Sequence, residues 1–356
     1  MLRMQKLQAA DTEEQVWRFR EFWECTFVRI EHAPFRIVSI ALILVVTLIA
    51  MNDEARASET DQFMAMDKEL ADSADALNRY LNRQAEEFLA KQNSHRDLIM
   101  TPEKLTQKYY SYLFKGLHAS RLRSWLLNSE DVDRFPGATV SYFQYLRASV
   151  FGMRSFPFIL PMARTIRVGD VHLGIDKMGH FFGFGRRSFK EYLRLREAGF
   201  SEDDAMEKVV LHGFLMERYF VGNLIDGIFS CADLEANFQG MMMARAFCEG
   251  NDPYFKRAGD KWVLTRPIDI RPFVTPGFDE TYNRSHYIGR RKGLVFKVLR
   301  RDYCAKFALP MVQERFAIYN TWPRSFSQEV IDRYYEKRGK DPRKVQSLEA
   351  ICGDSD

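Results

Sequence analysis

The chain has 356 residues, which is enough for one large domain or two modest ones. A hydrophobic share of 46% and a charged share of 28% exclude a disordered or collagen-like protein. The net charge of +4 is too small to indicate nucleic-acid binding by itself. We therefore expect a folded body that does not bind nucleic acid.

One segment near the N-terminus departs from this composition. The 15 residues from Ile37 to Met51 carry no charge and are almost all apolar. A membrane-spanning helix needs about 20 such residues, whereas the apolar part of a signal peptide is shorter. Arg36 precedes the run, and Asp53 and Glu54 follow it. This charge distribution favours an N-terminus that stays in the cytoplasm.

Two interpretations of this segment remain open. Ala55-Arg56-Ala57 is a small-x-small pattern of the kind that signal peptidase cuts, which predicts cleavage near Ala57. The alternative is an uncleaved single-pass anchor that links the protein to the inner membrane. Both interpretations assign residues 1–57 to a cytoplasmic N-region plus signal or anchor, and both place the body in the periplasm or outside the cell. A third interpretation, a buried core helix, predicts no such location.

The first part of the body, residues 58–165, is predicted to be helical. Apolar residues recur at helical spacing from Glu59 to Asn93, without Gly or Pro, which predicts a long amphipathic helix. A second helical stretch begins at Pro102, with Thr101 as its cap, and runs to about Leu127. A further helix is expected over residues 142–150.

Residues 166–250 have the clearest helical pattern. One helix is predicted from Asp176 to Ala198, ended by Gly199. Ser201 is expected to cap the next helix, with Asp204 at the third position. A third helix should run from about Ser230 to Phe247.

The last part, residues 251–356, is predicted to be irregular, with short strands at Trp262–Leu264 and Phe273–Thr275. Two helices are expected there, at Lys292–Phe307 and Ser327–Lys337. The predicted fold class is mainly α, a helical bundle-like body with an irregular C-terminal region, preceded by one N-terminal membrane-insertion segment.

The helical core carries polar residues where its pattern should place apolar ones. Asp176 and His180 are four residues apart and share a helix face. Glu217 lies on an otherwise apolar face of its helix. A further set at spacings of three and four forms one polar stripe if the third helix begins early enough: Asp226, Ser230, Asp233 and Asn237.

Buried carboxylates of this kind need a cation, a shared proton or basic partners. Basic residues in reach are Lys177, Arg186 and Arg187. A divalent metal held by Asp176, His180, Glu217 and Asp233 is one prediction, and a His beside carboxylates suits several metals. His180 and Glu217 are then the candidates for a general base. The alternative is a buried hydrogen-bond network that fixes how three helices pack.

The order and spacing of these residues resemble a known pattern, carried by Asp176-Lys177-Met178-Gly179-His180, Glu217, Asp226-Gly227, Ser230, Ala232-Asp233, Ala236-Asn237 and Gly240. It is similar to the shared pattern of VanZ-like proteins, and closer to periplasmic lipoproteins of the YfiM type, over residues 174–240 only. The resemblance implies an envelope location and a signature polar set, but no reaction. This chain lacks the several membrane spans of the first group and the acylated Cys of the second.

Two further predictions concern the cysteines and a polar loop. Cys231, Cys248, Cys304 and Cys352 follow the apolar run, and they permit either two disulfides in one of three pairings or free buried thiols. His286 lies near Asp279, Glu280 and Asn283 and could bind a cation from a loop or belong to an ordinary surface turn.

The segment 284–306 holds eight basic residues and one acid, Asp302. A basic amphipathic helix of this kind can lie on an anionic lipid surface. The alternative is a solvated helix whose apolar stripe packs on the core.

The sequence therefore predicts a membrane-linked envelope protein of the VanZ-like type, with a buried polar or metal site in a binding or structural role in envelope maintenance. The alternative function is a metal-dependent hydrolase acting on a lipid-linked or peptidoglycan substrate.

Overall fold

The computed structural model describes residues 59–94, 100–115, 120–151, 162–217, 228–287, 289–339 and 347–353. All of them belong to one compact unit, Arg56–Asp356. The predicted membrane-insertion segment, residues 37–51, lies outside the described residues. No helix in the described ranges combines the length and the apolar character that crossing a membrane requires.

The body is mainly helical, which confirms the predicted class. The helices are α1 Ala74–Ser94, α2 Pro102–Leu113, α3 Arg121–Asn128, α4 Tyr142–Ala148, α5 Ile175–Gly179, α6 Gly185–Glu197, α7 Glu202–Met216, α8 Cys231–Cys248, α9 Gly289–Val298, α10 Cys304–Phe307, α11 Pro310–Tyr319, α12 Phe326–Glu336 and α13 Leu348–Gly353. Two π-helical turns continue a helix into the next one: His180–Phe184 joins α5 to α6, and Leu299–Tyr303 joins α9 to α10.

Short strands pair two by two around the helices. They are β1 Glu59–Thr60, β2 Met162–Ala163, β3 Thr165–Val168, β4 Val171–Gly174, β5 Ile228–Ser230, β6 Phe255–Ala258, β7 Lys261–Leu264 and β8 Ser285–Tyr287. The pair β1–β2 is parallel, and the pairs β3–β4, β5–β8 and β6–β7 are antiparallel. In the pair β5–β8, Ser230 lies opposite Ser285.

Helix α8 is the centre of the body. Most of its residues are buried on every face, as expected of a helix surrounded by other elements. It packs against α6, against the π-helical turn before α6 and against α2. A Cβ atom on Gly185 would lie 2.8 Å from the Cα atom of Gly240, and one on Gly240 would overlap the carbonyl oxygen of Phe181. The glycines therefore allow the two backbones to touch.

The predicted helix ends are well reproduced. The hydroxyl of Thr101 accepts a hydrogen bond from the backbone N–H of Lys104. The hydroxyl of Ser201 likewise accepts from the backbone N–H of Asp204 and caps α7. Gly199, after α6, has a φ of 88°, a left-handed conformation that glycine adopts most readily. Local capping chemistry thus sets these boundaries.

Two predicted elements are wrong. Residues 59–73 do not continue α1, because β1 pairs with β2 and the backbone N–H of Ser73 donates to Arg167 instead. Asp72 then accepts from the N–H of Ala74, and α1 begins there. The expected strand at Phe273–Thr275 is replaced by two short 3-10 turns, Arg271–Phe273 and Pro276–Phe278. Tertiary contacts override the local pattern in the first segment.

Candidate functional site

A fully buried lysine lies at the centre of the candidate site. The Nζ atom of Lys177 is 2.7 Å from Oδ2 of Asp176, 2.7 Å from Oδ1 of Asp233 and 2.6 Å from Oε1 of Glu280. All four side chains are buried. One ammonium group therefore faces three carboxylates that water cannot solvate freely.

Asp176 is placed by the start of α5. The hydroxyl of Thr60, in β1, donates to its Oδ1 atom at 2.5 Å, while Oδ2 receives Lys177. Gly174, the residue before α5, has no Cβ, and a Cβ there would overlap both Asp176 and Thr60. The absence of a side chain at Gly174 lets β1 approach the first turn of α5.

Glu280 enters the site from the loop before β8. Its Oε1 atom accepts from the hydroxyl of Ser230 at 3.0 Å as well as from Lys177. Its own backbone N–H donates to the side chain of Gln62. Burial raises the pKa of Glu280 to about 7; Lys177 opposes that shift, and the nearby carboxylates add to it.

A second group of ligand atoms shares Asp233 with the first. His180, Glu217 and Asp233 each present one ring nitrogen or carboxylate oxygen, and these atoms lie within 4.8 Å of one another. His180 comes from the π-helical turn, Glu217 follows the end of α7, and Asp233 lies in the first turn of α8. All three are buried. Such a set of buried acidic and imidazole groups could hold a metal ion.

Asn237 sets the orientation of the imidazole. Its Oδ1 atom lies 3.2 Å from Nδ1 of His180, and Nε2 of that ring lies 3.4 Å from Oδ1 of Asp233. The ring also stacks on Phe184, with centroids 5.0 Å apart. Nδ1–H donates to the amide oxygen of Asn237, so Nε2 is the ring nitrogen that faces the carboxylate of Asp233.

The electrostatics of Asp233 link the two groups. Burial opposes its ionisation, but His180 and Lys177 outweigh burial and lower its pKa. Asp233 is therefore held in its charged form, and it is shared between Lys177 and His180.

The site residues predicted from sequence divide between the two groups of ligand atoms. His180, Glu217 and Asp233 meet, and Asn237 supports them. Asp176 belongs instead to the group around Lys177, one of the basic partners that the sequence suggested. Asp226 lies outside the described residues.

Ser230 does not extend the polar stripe of the third helix. It is the last residue of β5, and its hydroxyl caps α8 by accepting from the N–H of Asp233. The polar stripe on α8 therefore consists of Asp233 and Asn237 and does not extend back to Ser230.

The contribution of Glu280 was not predicted for this site. The sequence suggested a separate loop site with Asp279, Asn283 and His286. In the structure, the carboxylate of Glu280 accepts a hydrogen bond from Lys177. The carboxylate of Asp279 accepts from the hydroxyls of Thr281 and Tyr319. The ring of His286 contacts the hydroxyl of Tyr335. The local clustering of acids was the one sequence signal that drew attention to this loop.

Cysteine pairing is partly resolved. Cys304 and Cys352 form a disulfide across 48 residues of sequence. Cys231 and Cys248 are free thiols, and burial raises the pKa of the Cys231 thiol to about 11. One of the two disulfides that the sequence permitted is thus present among the described residues.

Comparison of the chain with protein-family models, with curated proteins and with solved structures gives no match. The VanZ-like resemblance stays a prediction.

Proposed function

We propose that this chain is a membrane-linked envelope protein whose helical core binds one divalent cation through His180, Glu217 and Asp233. The role is binding or structural, in maintenance of the envelope, as expected for the VanZ-like type. Every described side chain of the two ligand groups is buried. That burial favours a cation that holds helices together over one that meets a substrate.

The observation that carries the proposal is the contact between His180 and Asp233. Two ligands about 2.1 Å from one tetrahedral metal ion lie about 3.4 Å apart, and Nε2 and Oδ1 are separated by 3.4 Å. A lone pair that faces a carboxylate is repulsive unless a proton or a cation lies between them. Asn237 occupies the supporting position that metal-bound imidazoles require, because it holds the other ring nitrogen.

The charge balance supports the same conclusion. Lys177 supplies one positive charge to Asp176, Asp233 and Glu280. An uncompensated buried carboxylate is costly, so the site favours additional positive charge. A divalent cation beside Asp233 would supply that charge.

The envelope location is supported by two independent features. The apolar run from Ile37 to Met51 is typical of a signal or anchor segment. The disulfide between Cys304 and Cys352 is typical of proteins that fold in an oxidising compartment. Together they favour a body outside the cytoplasm.

The alternative function is a metal-dependent hydrolase that acts on a lipid-linked or peptidoglycan substrate. Three protein ligands leave a fourth tetrahedral position for water, as catalytic zinc sites do. The set His180, Glu217 and Asp233 has that number of ligands.

Metal analysis of the purified full chain tests the proposal. We expect about one zinc or manganese ion per chain after dialysis, and at least a tenfold weaker affinity in His180→Ala and Asp233→Asn. Glu235→Gln is the matched control, because Glu235 is also buried in α8 but accepts from hydroxyls such as that of Thr275. It should keep the metal.

Folded wild-type protein that takes up none of zinc, manganese, magnesium and calcium would overturn the cation site. Loss of metal in Glu235→Gln as well as in Asp233→Asn would mean that the variants report damage to α8. Metal-dependent turnover of a lipid-linked or peptidoglycan fragment, abolished in His180→Ala, would favour the hydrolase.

A further inference from the structure

The outward side of α9 and the π-helical turn that follows it form an open basic cleft of about 700 Å³. Its lining contains four cations, one glycine and one aromatic ring: Lys292, Gly293, Phe296, Lys297, Arg300 and Arg301. We call it the basic cleft.

The cations of the basic cleft are largely available to a ligand. In the part of the chain that the structure describes, neither Lys292 nor Lys297 forms an ion pair with a carboxylate. The Nε atom of Arg300 donates to the backbone carbonyl of Ile351 at 3.5 Å, and Arg301 pairs with Asp302, its neighbour in sequence. Such an exposed pair is worth little, so Arg301 can turn to a stronger anion. The cleft therefore presents an excess of positive charge.

Apolar groups accompany these cations. Phe296 lies in the cleft, and the ammonium of Lys292 is 5.4 Å from the centroid of its ring. Leu294, on the same helix, is 38% exposed. The opposite stripe, with Val295 and Leu299, is buried in the body. The helix is thus held by its core face, while its outer face combines cations with apolar surface, as surface-binding helices do.

The segment that follows the basic cleft packs against the N-terminal part of the described body. The ring of Phe63 contacts Tyr303 at 6.0 Å, and Lys306 pairs with Asp67 at 3.1 Å.

We propose that the basic cleft binds the phosphate group of anionic membrane lipids. Lys292, Lys297, Arg300 and Arg301 would contact the phosphodiester, and Phe296 would pack against the glycerol and acyl carbons. This inference rests on the membrane linkage proposed above, but not on the cation site in the core. It commits to lipid rather than free phosphate, because a free anion would make no use of the aromatic ring.

The experiment titrates the full chain, in neutral detergent, with short-chain phosphatidylglycerol and with phosphatidylcholine, and counts bound lipid by native mass spectrometry. Basic residues near an anionic surface attract it. We therefore expect at least a tenfold preference for phosphatidylglycerol. The preference should disappear when all four cations become glutamine: Lys292→Gln, Lys297→Gln, Arg300→Gln and Arg301→Gln.

A matched variant removes four exposed positive charges outside the cleft: Lys190→Gln, Lys256→Gln, Arg257→Gln and Lys261→Gln. It should retain the preference, and both variants should unfold at the wild-type temperature because the altered side chains are exposed. Equal binding of the two lipids by wild-type protein, or a preference that survives in the cleft variant, would overturn the proposal. So would complete displacement of phosphatidylglycerol by the same concentration of inorganic phosphate.

Fractionation of cells tests the membrane linkage independently of lipid binding at the basic cleft. A full chain found in the soluble fraction would overturn the linkage. A membrane-bound chain without lipid preference would overturn the basic cleft alone.

Discussion

At the scale of single residues, Lys177 balances the negative charge of the buried site. It is the one described cation placed against Asp176, Asp233 and Glu280 together. Lys177→Met removes the ammonium and leaves those carboxylates buried. Removing one partner from a buried ion pair typically costs about 3 to 5 kcal/mol. We expect a loss of that size in the free energy of unfolding, measured with urea.

The control is Lys256→Met, since Lys256 is exposed in β6 and its loss should change stability by no more than about 0.5 kcal/mol. The three carboxylates lie within 4.8 Å of one another, so added divalent cations should restore part of the stability of Lys177→Met. An unchanged midpoint would show that the buried ammonium is not needed to balance these charges.

His172 gives the molecule a pH dependence of known sign. Burial, with Arg315 and Arg167 nearby, lowers its pKa to about 3. The unfolded chain binds a proton near pH 6.5 and the folded chain does not. Above pH 6.5, His172 is neutral in both states and does not lower the free energy of unfolding. As the pH falls from 6.5 toward 3, protonation of His172 in the unfolded chain lowers that free energy progressively.

Between pH 7 and pH 5, His172 should account for a loss of about 2 kcal/mol in the free energy of unfolding. His172→Gln should reduce the wild-type loss by that amount, whereas His212→Gln, at an exposed position of α7, should not. Urea unfolding at both pH values measures the difference. Parallel pH profiles of wild type and His172→Gln would contradict the prediction.

At the scale of elements, the close crossing of α8 over the turn before α6 depends on Gly240. Gly240→Ala would force the Cβ atom into the carbonyl oxygen of Phe181. Overpacking that requires backbone shifts costs about 1 to 3 kcal/mol or more. We expect a loss in that range, measured by thermal or urea unfolding.

Gly213→Ala in α7 is the matched change, because its added Cβ would meet only Leu234 at 3.6 Å, an ordinary contact. A helical Gly→Ala change with room is neutral or stabilising by up to about 1 kcal/mol. Equal effects of the two substitutions would mean that helix propensity, and not the crossing, decides the result.

The elements that the sequence predicted well are those set by local chemistry. Thr101, Ser201 and Gly199 mark helix ends through bonds to neighbours a few residues away. Residues 59–73 were assigned wrongly because their structure comes from pairing with β2 and Arg167, about a hundred residues further along the chain. Helical spacing contains no information about such contacts.

In the candidate site, too, the sequence predicted the residues with a local signal and missed those brought in by long-range contacts. Asp176, His180, Glu217, Asp233 and Asn237 stood out because polar residues interrupted apolar helix faces. Glu280 and Thr60 reach the site from a loop and from β1, so no spacing along the chain relates them to α5. Residues brought in by long-range folding were the part that the sequence could not predict.

At the scale of the whole molecule, the disulfide between Cys304 and Cys352 ties α10, which continues α9 and its π-helical turn, to α13. Closing a loop of 48 residues constrains the unfolded chain. The expected contribution is about 2 to 4 kcal/mol. The double variant Cys304→Ser, Cys352→Ser should lose that stability, and a reductant should produce the same loss in the wild type.

The reductant should have no effect on the double variant, which separates the disulfide from the free thiols of Cys231 and Cys248. Peptide mapping without reduction should recover the linked pair from exported protein. The glutathione pool opposes a disulfide in protein kept in the cytosol. If residues 37–51 direct export, as proposed above, the stability of the body should depend on that export. Wild-type protein that is fully stable in reductant would break that dependence and weaken the case for an extracytoplasmic body.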